Sequence, residues 1–540
     1  MSVPKFFSMF TEKRLTKDQF IQSIKAGIGV AIISLPLSIA LGISSGVTPQ
    51  AGMITAIVAG IIVSILSGTS VQIGGPTGAF VVVVLGIVQK YGLEGLILST
   101  FMGGIILILL GLFRLGSLIK YISYPITVGF AAGVAMILVT TEVKDFLGLR
   151  IDKIPSDFIN KWITYITHLN TINYITLAIG IISILIIVIS PKINKSIPGT
   201  LLALIIATLV VKFFNLDVAT IGSTFGNISG SIPMPKLPVI SLSMVKQLIS
   251  PAITIALLCA ISSLLSAVIS DEIIGEKHDS NTELIAQGFA NIGSALFGGI
   301  PAAGVVARTT ANMKAGGRTP IGGIVNGLVL LIIMLVLMPI AEYIPLTTLG
   351  AILLVVAYRM SKLNVIRAMF KGPKDDLLLL IVTFILTVVF NVVVAVAAGV
   401  VISAIIFMWK MSNKIKIDDL DLKSTKIIKE NINSNEISVY RVVGPLFFGS
   451  ASVLRDIIRE AEYEKIKVLI LSTNNIADLD ITILNMLEHI SIMCKEHNSK
   501  FIITGLDEKN KKIFNKSIKE KIELYPSLDE AIQNINKEYL

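Results

Sequence analysis

Charged residues are scarce in this chain. They make up 15% of its 540 residues, while 53% are hydrophobic, and soluble globular domains carry about 25% charged residues. The mean hydropathy of +0.81 therefore excludes a soluble protein for most of the length. The net charge of +10 does not indicate nucleic acid binding, because the basic residues cluster in short loops between apolar runs, as membrane topology requires. We expect no nucleic acid partner.

Cysteine and histidine are also rare. The two cysteines, Cys259 in an apolar run and Cys494 in the polar tail, differ too much in environment to indicate a disulfide or a metal site. The four histidines form no cluster with ligand or nucleophile spacing, and the tail has no glycine-rich phosphate loop. The sequence thus predicts free thiols, no metal, no cofactor and no enzymatic activity.

Long apolar runs are what the sequence does contain. Their lengths approach the ~20 residues that cross a bilayer, with Gly or Pro interrupting some of them. The first run has no convincing small-residue cleavage site after it, so we expect it to remain as a helix rather than to be removed as a signal peptide. The fourteen runs are residues 24–43, 51–67, 77–90, 93–112, 125–140, 172–190, 199–214, 251–270, 285–297, 305–313, 320–340, 346–358, 376–390 and 393–411.

The Lys and Arg residues between these runs give an orientation. If the N-terminus is cytoplasmic, the short cytoplasmic loops hold Arg114, Lys120, Lys192, Lys195, Lys314, Arg318, Arg359, Lys362, Arg367, Lys371 and Lys374. This distribution follows the positive-inside rule. An even number of crossings returns the chain to the same side. We therefore expect a multi-pass protein of the inner (cytoplasmic) cell membrane with both termini in the cytoplasm and the lipid bilayer as its surroundings.

The chain changes character after Trp409, where Lys, Asp, Glu and Asn become frequent. We divide it into a transmembrane domain at 1–411, a linker at 412–435 and a second domain at 436–540. Within the second domain an alternating α/β pattern is predicted. Strands are predicted at 437–443, 468–472 and 500–504, and helices at 451–462 and 481–495.

Two membrane runs are short and follow stretches rich in Gly and Pro, residues 74–80 (GGPTGAF) and 298–304 (GGIPAAG). Each run is the third of its group of seven, a pattern typical of transporters built from inverted repeats. Broken helices of this kind direct N-terminal N–H groups and positive dipole ends into a shared cavity, where an anion can bind. The alternative is that Gly and Pro only permit close helix packing or a kink.

A single cation lies one turn into the second broken helix. Arg308 stands in an apolar stretch, where an unpaired charge costs a few kcal/mol, so we expect it to face a cavity or a counter-charge. The alternative is an arginine that snorkels to the membrane interface.

At these residues the chain resembles the SulP family of sulfate and anion transporters. The stretches that carry the resemblance are residues 35–37 (LPL), 46–49 (GVTP), 74–80, 280–288 (SNTELIAQG), 307–312 (ARTTAN) and 316–320 (GGRTP). The resemblance covers nearly the whole chain. It implies an α-helical membrane protein with fourteen transmembrane helices in 7+7 inverted repeats, a core and a gate domain that move as an elevator, and a homodimer.

The resemblance also implies a substrate site. The anion would lie between the third and tenth helices, with the first helix completing the pocket, and the residues concerned are Thr77, Gly78, Ala79, Phe80, Val305, Val306, Ala307, Arg308, Leu37 and Leu41. A hydroxyl, helix N-termini and one guanidinium can bind many small anions. No single anion is selected by this set.

The sequence departs from the family where a coupling cation would bind. Related bacterial transporters commonly carry an acidic residue at the position of Ser262, and some proton-coupled relatives carry Glu at the position of Leu37. Proton or sodium sites normally use an intramembrane carboxylate, so these substitutions argue against cation coupling. Ser262 and Ser266, one turn apart on one helix face, are the candidate oxygen ligands for sodium. The alternative is that both are packing residues bonded to their own helix.

The polar tail resembles a STAS domain. Asp480 and Thr482 fall at the strand-to-helix turn where soluble relatives present an Asp and a phosphorylatable Ser or Thr before Gly, although Ile483 replaces that Gly here. Phosphorylation of Thr482 would add charge at a helix N-terminus and act as a switch toward a cytoplasmic partner. We favour the alternative in which Asp480 and Thr482 cap the helix.

Secondary transport of a small anion (bicarbonate, sulfate, chloride or a dicarboxylate) is the function that these features favour. An uncoupled anion uniporter or channel is the first alternative, because the coupling carboxylates are missing. A nucleobase carrier of the same architecture is the second. Such carriers bind the base through intramembrane carboxylates, whereas this chain has Ser262 and Val306 at these positions. Nucleobase carriers also lack a C-terminal tail of this kind.

Overall fold

The computed structural model describes most of the chain and separates it into two units, Met1–Val400 and Val401–Leu540. Helices make up the first unit, whereas a sheet with helices makes up the second. The described residues are 3–11, 15–117, 123–151, 154–155, 157–194, 198–226, 230–390, 392–413, 416–419, 437–443, 447–450, 466–473, 479–518 and 522–538.

Seventeen α-helices, the last of which ends in the second unit, and two short strands are described in this part of the chain. The helices are α1 (Lys5–Thr11), α2 (Lys17–Ser44), α3 (Pro49–Leu66), α4 (Val81–Leu112), α5 (Tyr124–Leu147), α6 (Phe158–Thr167), α7 (Tyr174–Ile193), α8 (Gly199–Phe214), α9 (Ile221–Phe225), α10 (Leu242–Ile274), α11 (Ser280–Leu296), α12 (Val306–Lys314), α13 (Ile321–Leu337), α14 (Leu346–Met360), α15 (Leu363–Met369), α16 (Lys374–Val389) and α17 (Val392–Ser412). The strands are β1 (Gly74–Gly75) and β2 (Ala303–Gly304).

Local sequence explains where several of these helices begin and break. Thr16 and Gln19 form a capping box at the start of α2, in which each side chain accepts from the backbone N–H of the other. The chain enters α3 through Thr48, whose side chain caps the helix, followed by Pro49 at its first position. Helix α4 is broken at Gly92, where φ is +70°, a conformation that glycine adopts without steric cost. The break separates the predicted runs 77–90 and 93–112.

Each of the fourteen apolar runs contains a helix in the structure. Among the described residues, nine helices are long and apolar enough to cross a membrane. The predicted fold class is thus confirmed as a helical membrane bundle followed by a small α/β domain. The count of fourteen crossings and their 7+7 repeat stay predictions, because the shorter helices do not reach the length that a full crossing requires.

Small residues let the central helices approach each other closely. A Cβ atom added at Gly104 of α4 would lie 2.7 Å from the carbonyl oxygen of Gly288 in α11, and one added at Gly288 would lie 2.6 Å from the carbonyl oxygen of Gly104. The two backbones therefore touch. Association of helices in lipid relies on such close contacts, since lipid is as apolar as the side chains.

The second unit is built on a five-stranded sheet, with strand order β3-β4-β5-β6-β7. The strands are β3 (Lys416–Asp419), β4 (Ile437–Val443), β5 (Val468–Ser472), β6 (Lys500–Thr504) and β7 (Glu523–Tyr525), and the helices are α18 (Ile481–Glu496), α19 (Glu508–Ser517) and α20 (Leu528–Glu538). β3 pairs antiparallel with β4, and the remaining neighbours are parallel. Helices α18 and α19 provide the crossovers that parallel strands need.

The predictions for this unit can be compared with its elements. All three predicted strands are present with the predicted bounds, and the predicted helix at 481–495 is α18. The predicted helix at 451–462 lies outside the described residues. Strand β3 lies inside the segment that we interpreted as a linker, and it extends the sheet through its pairing with β4. The polar composition of residues 416–419 (KIDD) gave no strand signal.

Candidate functional site

The two Gly/Pro-rich stretches meet in the structure. β1 and β2 pair antiparallel, with Gly74 opposite Gly304 and Gly75 opposite Ala303. The N–H of Val305 also donates to the carbonyl oxygen of Ile73 at 3.0 Å. This pairing places the start of the short 3-10 helix Gly78–Phe80, which leads into α4, beside the start of α12. Two helix N-termini therefore lie side by side, each with N–H groups that its own helix cannot pair.

Only glycine fits at two positions of this pairing. A Cβ atom at Gly74 would lie 2.7 Å from Cγ2 of Val63, and a Cβ atom at Gly304 would lie 1.9 Å from Nε2 of Gln72. The glycines are thus required by close approach of neighbouring groups and not only by helix breaking. Close packing, the alternative that the sequence offered, is therefore present at these glycines, and anion binding between the two helix starts stays a prediction.

Helices α10 and α11 hold the β2 strand in place. Ser263 Oγ accepts from the Gly304 N–H at 2.8 Å, and Ser262 Oγ donates to the Gly304 carbonyl oxygen at 3.2 Å. Asn291 binds both polar groups of the Ala302 backbone at 2.9 Å. The broken segment therefore keeps its position through side chains rather than through a continuous helix.

These contacts bear on the two serines considered as sodium ligands. The Ser262 hydroxyl is engaged with the β2 backbone and not with its own helix. The Ser266 hydroxyl is buried, and no hydrogen-bond partner for it exists among the residues that the structure describes. Of the described side chains, no group of three or more His, Cys, Asp or Glu could hold a metal ion. Both cysteines are buried free thiols, as predicted.

Arg308 lies in the first turn of α12, next to the pairing of β1 and β2. Its side chain is 1% exposed, and Nη2 donates to Ser38 Oγ of α2 at 3.0 Å. Its Nη1 atom is so close to Gly75 that a Cβ atom there would lie 2.3 Å away. Within the described part of the chain, Nε and Nη1 have no hydrogen-bond partner. A buried guanidinium thus keeps two unused donor groups beside the two helix N-termini.

The other residues of the predicted site differ in their surroundings. Thr77 caps the short helix, with its hydroxyl oxygen 3.5 Å from the Ala79 N–H. Phe80 is fully buried, whereas Ala307 is exposed. Gly78 lies near helix α2, because a Cβ atom at Gly78 would be 4.0 Å from Cδ2 of Leu41.

The remaining predicted residues are partly or fully enclosed. Ala79 and Leu41 are buried, and Leu37, Val305 and Val306 are half-buried. In the second unit, Asp480 caps α18 by accepting from the Ile483 N–H at 2.9 Å.

Three polar residues near the site went unnoticed in the sequence: Ser38, Ser263 and Glu283. Glu283 was used only as part of a family signature, yet its carboxylate is fully buried and accepts from Gln72 and Gln287, each at 2.9 Å. An acidic residue so close to the apolar run 285–297 is a usable signal for such a site. In contrast, no sequence signal marked the partners of Glu283, which are Ser67, Thr69, Gln72 and Gln287.

Comparison with known proteins gives the family. A family model described as "Sulfate permease family" matches residues 20–383, and one described as "STAS domain" matches residues 429–531. The chain belongs to the sulfate permease family. The resemblance seen in the sequence is therefore confirmed for both parts. The protein is an integral membrane transporter of anions with a C-terminal STAS domain, and it is not an enzyme.

Relatives in this family match most of the chain. "Putative sulfate transporter YvdB" of Bacillus subtilis (strain 168) is 38% identical over 514 residues, which are 95% of this chain and 96% of that protein. "Bicarbonate transporter BicA" of Picosynechococcus sp. is 29% identical over 451 residues, 80% of this chain and 79% of that one.

Two solved structures have the same fold as this chain. "The overall structure of SLC26A9" covers 98% of this chain and 93% of that chain with a TM-score of 0.85 at 19% identity. "The transmembrane domain of a cyanobacterium bicarbonate transporter BicA" covers 72% of this chain and 98% of that chain, with a TM-score of 0.63 at 26% identity.

Proposed function

We propose that this transporter carries a small oxyanion, sulfate or bicarbonate, which binds between the N-termini of the 3-10 helix Gly78–Phe80 and of α12. The observation that carries the proposal is the buried Arg308, whose Nε and Nη1 have no partner among the described residues, beside the paired strands that join the two helix starts. An oxyanion supplies what this site lacks, a negative charge with several acceptor oxygens. The names of the relatives YvdB and BicA favour these two oxyanions.

The predicted residues have distinct roles in this proposal. Backbone N–H groups of the two helix starts and the guanidinium of Arg308 bind the anion, with Thr77, Ala79 and Phe80 on one side and Val305, Val306 and Ala307 on the other. Gly78 leaves room for the substrate next to Leu41, and Leu37 completes the apolar wall. Ser262 fixes the β2 backbone, and Ser266 stays the candidate ligand for a coupling sodium ion.

The transport cycle and assembly are part of the same proposal. The site moves across the inner membrane as an elevator, in which a core domain that holds the broken helices slides against a gate domain. The fourteen predicted crossings form two inverted repeats, two copies form a homodimer, and both termini are cytoplasmic. In the STAS domain, Asp480 is the N-cap of α18, and phosphorylation of Thr482 is the alternative through which this domain would be regulated.

The test is uptake into proteoliposomes. Labelled sulfate, bicarbonate and fumarate are each offered with no gradient, with a sodium gradient, with a proton gradient and with counter-anion inside. We expect sulfate or bicarbonate to accumulate, and fumarate not to accumulate. Liposomes with an Arg308→Gln variant are the control, since they keep the protein but lose the charge. If the Arg308→Gln variant takes up each of the three anions as well as the parent protein does, the proposed site is refuted.

A further inference from the structure

A polar cavity lies in the membrane unit and shares no residue with the proposed anion site. Its volume is about 240 Å³, and it is lined by the C-terminal ends of α2 and α5 together with α4, α6 and α9. The side chains that make it unusual are Ser44, Glu142, Asp145, Lys161 and Tyr165. Carboxyl groups inside a membrane protein are costly and mark functional sites unless they are paired.

Glu142 is the most enclosed of these groups. Its side chain is 4% exposed, and Oε1 lies 2.5 Å from the hydroxyl oxygen of Ser44. On its other side, Oε2 faces α14, because a Cβ atom at Gly350 would lie 3.4 Å from it. The contact with Ser44 connects α5 to α2, two helices that are far apart in the sequence.

The position of the Ser44 hydroxyl indicates where a proton lies. Its oxygen is 2.5 Å from Glu142 Oε1 and also 2.9 Å from the carbonyl oxygen of Ala40. A hydroxyl has one hydrogen to donate but can accept as well. If Glu142 were ionised, the one hydrogen of Ser44 would have to be shared between two acceptors, the carboxylate and the carbonyl oxygen of Ala40. If Glu142 is protonated, it donates to Ser44 and Ser44 donates to Ala40, so that both short distances are explained.

Tyr165 gives an independent indication of a ligand in the cavity. Its side chain is 1% exposed, and its hydroxyl has no hydrogen-bond partner within the described ranges. Burial raises the pKa of the phenol, and the neighbouring Asp145 and Glu142 raise it further. The phenol therefore stays neutral and can donate to whatever enters the cavity, whether water or an ionised carboxylate.

Besides Glu142, three of the described residues that line the cavity are charged. Asp145 and Lys144 come from α5, and Lys161 comes from α6. Burial lowers the pKa of the Lys161 ammonium, and the nearby Asp157 raises it. The lining residues that α2, α4, α9 and α14 contribute are uncharged. A buried lysine therefore lines the cavity together with the two carboxyl groups.

We propose that Glu142 is a proton-binding site, which takes up a proton from this cavity and, once protonated, donates a hydrogen bond to Ser44 of α2. Loss of the proton leaves a carboxylate, which competes with the carbonyl oxygen of Ala40 for the one hydrogen of the Ser44 hydroxyl. The positions at Leu37 and Ser262 lack the carboxylate that coupled relatives use, and Glu142 supplies one elsewhere. The link from this proton to anion uptake rests on the proposed function, whereas the proton site itself does not.

The chain contains its own reporter for the test. It has two tryptophans, and one of them, Trp162 on α6, donates from Nε1 to Thr140 Oγ1 at 3.2 Å. The Trp162 ring also packs against Tyr165, with 6.1 Å between ring centroids. Replacement of the other tryptophan, Trp409→Phe, leaves the fluorescence of Trp162 as the only indole signal beside the cavity.

The experiment is a pH titration of Trp162 fluorescence in the full chain, in sodium-free lipid nanodiscs with no substrate anion. We expect a transition in this signal, because the carboxyl group of Glu142 changes its protonation state in the cavity that Tyr165 lines, and Trp162 packs against Tyr165. Glu142→Gln keeps the size and a hydrogen-bond donor and should abolish the transition. Glu94→Gln, the same change at an exposed position of α4, is the matched control and should leave it in place.

Neighbouring charges provide a second test that does not depend on Glu142 being replaced. Asp145→Asn removes a negative charge and should move the midpoint to lower pH, because ionisation of Glu142 becomes easier. Lys161→Gln removes a positive charge and should move it to higher pH. Each shift should be about 1 pH unit, as expected for a unit charge a few ångström away in partly screened surroundings.

Two results would overturn the proposal. One is a transition that survives in Glu142→Gln or moves in the wrong direction in the neighbouring variants. The other is a signal that responds to sodium at constant pH, which would make the cavity a metal-cation site. Proton-driven anion uptake is measured separately. If uptake by Glu142→Gln no longer depends on pH, the proton site is coupled to transport. If the fluorescence transition is present but uptake by the variant is unchanged, only the link to uptake is refuted.

Discussion

Replacement of Arg308 by Met separates a binding role from a structural one. The substitution removes a guanidinium that donates to Ser38 and has two further donor groups without partners among the described residues. Hydrogen bonds to charged groups are worth about 1.5–3 kcal/mol each. Loss of one such bond to the anion should therefore weaken binding about tenfold to about a hundredfold, since about 1.4 kcal/mol corresponds to a factor of ten.

The same substitution, Arg308→Met, should raise the stability of the anion-free protein or leave it unchanged. A buried charge with incomplete partners is costly, and an apolar residue of similar volume at such a place is often neutral or stabilising. In the parent protein, an anion at a hundred times its Kd stabilises the folded state by about 2.7 kcal/mol. With a hundredfold weaker Kd, the same concentration gives about 0.4 kcal/mol. The anion-dependent rise in Tm should thus nearly vanish.

The assay is thermal unfolding of the purified protein in detergent, with sulfate, bicarbonate and chloride titrated separately at constant ionic strength. Arg318→Met is the control, because Arg318 donates to the backbone carbonyl oxygens of Met313 and Gly317. We expect it to lower Tm but to keep the anion effect. If Arg308→Met lowers Tm while the anion effect stays at its parent size, Arg308 is a structural residue and the site is wrong.

Three further changes have expected outcomes. Gly75→Ala would place a Cβ atom 2.3 Å from Arg308 Nη1 and should weaken anion binding about tenfold by displacing one donor; an unchanged Kd by titration would contradict this. Asp480→Ala removes the cap on the Ile483 N–H and should lower the stability of helix α18 by about 1 kcal/mol. We expect this loss to appear as about fivefold faster amide hydrogen exchange in α18. Unchanged exchange would show that the cap does not stabilise the helix. Burial raises the pKa of the Cys494 thiol to about 12. The thiol should therefore not react with maleimide at pH 8 until denaturant is added. Rapid labelling without denaturant, measured by mass spectrometry, would contradict its burial.

Much of the fold could be predicted because its signals are local. The apolar runs, the strands at 437–443, 468–472 and 500–504, and the helix at 481–495 each depend on residues that follow one another in the chain, and each is present. The strand β3 was missed, since its four residues form a strand only through pairing with β4. Helix α10 begins at Leu242, whereas the apolar run was predicted to begin at 251. The first turns of the helix carry polar residues, which lower the hydropathy of that stretch.

The candidate site was predicted only in part. The Gly/Pro-rich stretches and Arg308 are visible as exceptions to an apolar background, so they were found without a structure. Ser38 was not, because a serine in a membrane helix is common and most bond to their own backbone. Glu142 lies just beyond the run bracketed at 125–140 and was overlooked for that reason, although it lies inside helix α5.

The sequence by itself determined that this is a multi-pass membrane protein with a polar α/β tail, a family signature and two broken segments. These properties follow from the transfer of each side chain between water and lipid and from the backbone limits of Gly and Pro. Only the tertiary structure decided which groups meet. Arg308 reaches Ser38 across 270 residues of chain, and Glu142 reaches Ser44 across 98. Contacts of that kind depend on the packing of whole helices, and no local pattern specifies them.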